Sequence, residues 1–82
     1  MYRFMPYKEI EKYIPKMVEL GVSKVARSKG QFLDQYERYG ASKLPDEWKL
    51  KRENFIKRHL VQYVKKPTER RRLALMAWAY LP

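Results

Sequence analysis

Residues 65–72 read KKPTERRR, five cations and one carboxylate in eight positions. Side chains of this kind, packed this closely, do one chemistry well: they hold phosphates through charge-assisted hydrogen bonds. Thr68 has the form of a helix N-cap, and the free N–H groups of a helix start attract an anion. Yet Arg70, Arg71 and Arg72 then fall in the first turn, where the backbone dipole prefers carboxylates. A polyanion bound near Thr68 would relieve that conflict. Lys65 and Lys66 would share the patch, and Lys57 and Arg58 on the preceding segment would extend it. The plainer alternative is that the arginines are solvated and pair with Glu69 or other acids.

A second pair stands out by position. With Trp48 as origin and about 100° per residue, Trp48, Phe55, Ile56, Leu60, Tyr63 and Val64 fill one half of a helix. Lys51, Lys57, Arg58 and Lys65 fill the other. Arg52 and His59 break the pattern, because both fall in the apolar half, seven residues apart. They form either a paired site for a phosphate or base, or a structural link. In the structural case Arg52 packs on Trp48 and ties down loop carbonyls, while His59 donates one hydrogen bond.

Other chemistry is poorly supplied. There is no cysteine, so no disulfide, thiolate metal site or cysteine nucleophile is expected. His59 is the sole histidine, and Ser23, Ser28 and Ser42 sit in no recognisable nucleophile setting. No carboxylate pair and no glycine-rich phosphate loop suggests catalysis. The chain is expected to be non-enzymatic, with no cofactor and no metal.

GVSKVARSKGQFLDQYERYG, residues 21–40, invites comparison with a helix-turn-helix. Val25, Ala26, Gly30 and Tyr39 fit the packing positions. Lys29 and Gln31 fall where apolar residues are needed, and Asp34 and Glu37 on the would-be recognition helix are repelled by phosphates. A structural corner between helices is the better account.

The elements that must carry these residues are helical. Alternating runs and Asn-Gly or Asp-Gly turns are absent, whereas helix punctuation is plentiful. A first helix starts near Pro6, with Pro15 predicting a kink or two short helices and Gly21 a left-handed cap. A short helix follows, with Ser23 as its N-cap, then a turn over 28–30. The stretch QFLDQYERY is helical to Gly40, with Asp34 and Arg38 spaced to pair on one face. Pro45 opens the longest helix, with Asp46 and Glu47 set against its dipole, and Pro67 ends it after Lys66. The closing helix is expected from Thr68 to about Tyr80. The expectation is an all-α, single-domain bundle of four to five orthogonally packed helices spanning residues 1–82.

The 82 residues carry nineteen Lys and Arg against nine Asp and Glu, a net charge of +10. Such a field repels itself unless a polyanion or an acidic surface relieves it. Nucleic acid, DNA or RNA, is the expected partner, and an acidic protein surface is the alternative. The N-terminal stretch has no signal-like apolar run, and Leu73–Leu81 is too short to span a bilayer, which takes ~20 residues. Apolar residues wrap nearly all round that segment, which suits a core better than a membrane interface. A membrane partner is therefore not expected, and a cytoplasmic protein is.

The stretches ARSKGQFLDQYERYG, LPDEWKLKRENFIKRH and RRRLALMAWAY, in that order, resemble a group of short basic proteins of phages and bacteria classed as a domain of unknown function. The likeness covers about residues 22–81, with Trp48, Arg52, Phe55, His59 and Trp78 its most distinctive positions. It implies a phage accessory protein and no particular activity.

Overall fold

Proline and glycine divide the chain as their backbone preferences require. The computed structural model describes residues 2–82 and contains six helices: α1 (Tyr7–Glu11), α2 (Ile14–Leu20), α3 (Lys24–Arg27), α4 (Phe32–Lys43), α5 (Asp46–Lys65) and α6 (Glu69–Met76). The expected four to five become six because Pro15 opens a new helix at its second position, so the first segment is two helices rather than one kinked helix. Gly21 closes α2 with φ 65°, and Val22 N donates to Met17 O at 2.9 Å, a Schellman turn.

Other boundaries depart from expectation. Ser23 precedes α3 but offers no side-chain cap, being itself left-handed at φ 53°. Asp34 does not pair with Arg38 among the ion pairs of the described residues. Its Oδ2 instead accepts from Gly30 N at 2.7 Å and closes the 28–30 turn. The run of α4 is broken at Gly40 (φ 73°, ψ −178°), as the glycine suggested, but helical turns resume as far as Lys43. Pro45 is the N-cap of α5 rather than its first residue.

The largest correction falls at the C-terminus. α6 ends at Met76, four residues short of Tyr80. Tyr80 N donates to Leu75 O at 3.0 Å and Ala79 N to Met76 O at 2.9 Å, with Ala79 at φ 60°. This is a second Schellman exit, with alanine where glycine is usual. It turns Tyr80 into an antiparallel bridge with Phe4.

The helices enclose one core with a column of rings at its centre. His59 stacks on Phe55 (centroids 3.9 Å), Phe55 on Trp78 (5.0 Å), Trp78 on Phe32 (4.9 Å) and Phe32 on Tyr36 (5.8 Å). Offset stacking of this kind adds about 0.5–1.5 kcal/mol per pair beyond area burial. Ile10, Met17, Ile56 and Leu73 are fully buried around it. α6 buries Leu73, Leu75 and Met76, so the apolar tail of the sequence is core. A radius of gyration of 11.7 Å matches a compact chain of this length, about 12 Å. No helix among the described residues is long and apolar enough to cross a membrane.

Candidate nucleic-acid interface

α5 carries Lys57 and Arg58 at its middle and Lys65 at its end, with Lys66 as C-cap. All four side chains are exposed. From Asn54 to Thr68 the chain contains no Asp or Glu. None of these four cations joins an ion pair among the described residues. Arg58 and Lys65, seven residues apart, share one side of the helix about 10 Å from one another along its axis.

The three arginines of α6 behave otherwise. Thr68 is the N-cap, its Oγ1 accepting from Arg71 N at 3.1 Å. Arg71 Nη1 then donates to Lys66 O at 2.9 Å and Gln62 O at 3.3 Å. It thereby satisfies Lys66 O, left open at the C-terminus of α5, adds a second donor to Gln62 O, which already accepts from Lys66 N, and draws Lys65 and Lys66 against the first turn of α6. Arg70 Nη1 donates to Leu20 O, the last residue of α2, at 2.5 Å. Arg72 donates to Glu69 at 3.1 Å and lies 5.3 Å from the Tyr13 ring centre, and its hydrogen bond to the Glu69 carboxylate holds its pKa above the ordinary value. The dipole conflict has an internal resolution: Arg70 and Arg71 lie beside the negative ends of α2 and α5, and Arg72 is paired with Glu69. Arg71 joins the lysines, while Arg70 and Arg72 turn toward α2.

Arg52 and His59 do not form a paired site. Arg52 is fully buried and donates to four carbonyls: Trp78 O at 2.8 Å, Ala79 O at 3.0 Å, Arg3 O at 2.8 Å and Tyr2 O at 3.2 Å. Its guanidinium lies over Phe4 at 3.6 Å rather than on Trp48. Trp48 instead receives Lys51, with Nζ 4.5 Å from the ring centre. Burial lowers the pKa of Arg52 and Glu53, 3.5 Å away, raises it. Arginine keeps its charge in such a setting. His59 makes no hydrogen bond among the described residues and stacks on Phe55 at the outer end of the ring column. Burial, and then the charge of Arg58, push its pKa below the ordinary value.

The apolar half of α5 holds for Trp48 and Ile56 but fails at Val64, which is 70% exposed. The sequence reading also missed a cleft formed where α5 meets the C-terminal turn, lined by Lys51, Asn54, Phe55, Arg58 and Trp78. The first four are spaced i, i+3, i+4, i+7, a detectable helical face. Nothing local announces Trp78 as their neighbour. Comparison with protein-family models, curated proteins and solved structures finds no match for this chain.

Proposed function

We propose that this chain binds nucleic acid through phosphates, with little sequence readout, using the exposed cations of α5 and the α5–α6 junction. The observation that carries the reading is the acid-free stretch 54–68, whose Lys57, Arg58, Lys65 and Lys66 are exposed and take part in no ion pair among the described residues. Arg71 sits beside Lys66 and adds a fifth charge, though its hydrogen bonds are committed to carbonyls. Arg70 and Arg72 contribute field rather than direct contacts. On this reading the helices, packed orthogonally, are a mount for one basic face and carry out no catalysis. The same proposal makes the protein cytoplasmic and, following its resemblance, a phage accessory factor acting in the host.

The test is binding to duplex DNA, single-stranded DNA and duplex RNA at about 50 and 200 mM salt. Four phosphate contacts predict that duplex affinity falls by about two orders of magnitude across that range. Changing Lys57, Arg58, Lys65 and Lys66 to Gln together removes both the binding and its salt slope while the fold persists. Absence of binding to all three at low salt sinks the reading.

A second reading has its own observation. Leu50, Val61 and Val64 are 63%, 54% and 70% exposed and form one stripe with Lys57, at spacings of seven, four and three. Aliphatic side chains among cations suit an acidic protein surface. Binding that survives high salt and ignores bulk DNA would favour it.

A further inference from the structure

We infer that the cleft between α5 and the C-terminal turn is a subsite for one unpaired nucleotide of a single-stranded nucleic acid. This rests on the phosphate-binding reading and narrows its substrate to single strands. The cleft, about 310 Å³, is lined by Lys51, Asn54, Phe55, Arg58 and Trp78. Its polar lining is two cations and one amide, with no carboxylate. The larger cleft beside α4, about 430 Å³, includes Asp34 and Glu37 among its lining and would repel a phosphate there.

Each part of a nucleotide meets a matching group. Lys51 and Arg58 stand one heptad apart, about 10 Å along the helix, with Phe55 between them. One cation therefore flanks each side of the aromatic wall, as the phosphates on either side of a single base require. Phe55 and Trp78 are stacked on each other and leave no gap for insertion, so a base packs against their outer edges. Asn54, exposed at the rim, offers both a donor and an acceptor to a base edge.

Trp78 supplies an independent observation. It is only 7% exposed, and its indole N–H has no acceptor among the described residues. No wholly buried side-chain nitrogen among them lacks a partner, so this N–H reaches solvent. Trp78 is itself one of the residues that line the cleft. In a duplex the bases are paired and stacked on one another, so this wall is served only by a strand with free bases.

The experiment compares a single-stranded oligothymidine, a duplex of equal phosphate count and inorganic polyphosphate, all at one low salt concentration. The readouts are affinity and tryptophan fluorescence. The expected result is single-strand binding about tenfold tighter than either other ligand, with tryptophan emission altered only by the single strand. Lys51→Gln and Asn54→Ala lie outside the α5–α6 junction and are exposed, so the fold should tolerate both. Each should weaken single-strand binding several-fold, and Asn54→Ala, which removes no charge, should leave duplex binding as it was. Equal affinity for all three ligands, with both variants unchanged, overturns the cleft inference and leaves the phosphate reading standing. Failure to bind any of the three overturns both.

Discussion

The guanidinium of Arg52 lies 3.6 Å from the centre of the Phe4 ring, and the same group donates to the carbonyls of Tyr2, Arg3, Trp78 and Ala79. A single side chain from the middle of α5 thus joins both ends of the chain. It also takes carbonyls at the left-handed exit of α6, where Ala79 stands in place of glycine. Arg70 and Arg71 do the same at the ends of α2 and α5, and Arg27 Nε reaches Val22 O at 2.8 Å just after α2. In this domain, arginine is the recurrent means of satisfying open backbone carbonyls.

Arg52→Met keeps most of the buried stem but strands the carbonyls of Trp78 and Tyr2, whereas Ala79 O and Arg3 O keep the backbone N–H groups of Met5 and Leu81. The expected loss is about 3–5 kcal/mol, a large share of the stability of so small a domain. Urea denaturation measures it, and Arg52→Lys should recover only part, because a point charge cannot reproduce the fork. A midpoint equal to the parent's would refute the clamp.

Arg71→Met should cost about 1 kcal/mol by opening the C-terminus of α5. Changing Arg70, Arg71 and Arg72 to alanine together therefore lowers stability as well as charge. Thermal melts should show a depressed midpoint in that variant and nearly none in the Lys57, Arg58, Lys65, Lys66 quadruple Gln variant. The reverse order would mean that the arginines are solvated and the junction is held otherwise.

Gly40 and Gly21 both have positive φ, but Gly40 combines φ 73° with ψ −178°, a region almost confined to glycine. A Cβ would meet nothing within 4 Å at either position, so only backbone strain decides the cost. Gly40→Ala should lose about 1–3 kcal/mol. Gly21→Ala, in the ordinary left-handed well, should lose about 1 kcal/mol. Chemical denaturation of the two variants side by side gives the order.

His59 has a folded pKa below its ordinary 6.5, first from burial and then from Arg58. The unfolded chain then binds the proton more readily than the native one. Stability is complete above the unfolded value and declines as pH falls through 6.5 toward the folded pKa. His59→Phe keeps a ring on Phe55 and should flatten the slope in that window. Denaturation midpoints at a series of pH values provide the comparison, and an unchanged slope would assign the dependence to other groups.

Much of the helix plan was legible because its signals are short-range. Pro15, Gly21, Pro45 and Thr68 each act through backbone geometry or a hydrogen bond within a few residues, and each lies at a helix boundary. Periodicity assigned Trp48 and Ile56 to the interior because a long helix must bury one face. It failed at Val64 because a helix of twenty residues, about 30 Å long, extends beyond the core it covers. The exit at Ala79 was illegible, since its left-handed turn is imposed by long-range bonds from Arg52 and by the Phe4–Tyr80 bridge.

The same division holds for the candidate site. Sequence alone determined the excess of positive charge, the acid-free stretch 54–68 and the helix start at Thr68, because these depend on residue type and neighbours along the chain. Only the tertiary structure decided which cations remain available. A guanidinium at the end of a flexible stem goes to whatever open carbonyl the packing brings within reach. Helices far apart in the chain brought Leu20, Lys66 and Trp78 to Arg70, Arg71 and Arg52, and left Lys57, Arg58, Lys65 and Lys66 facing solvent.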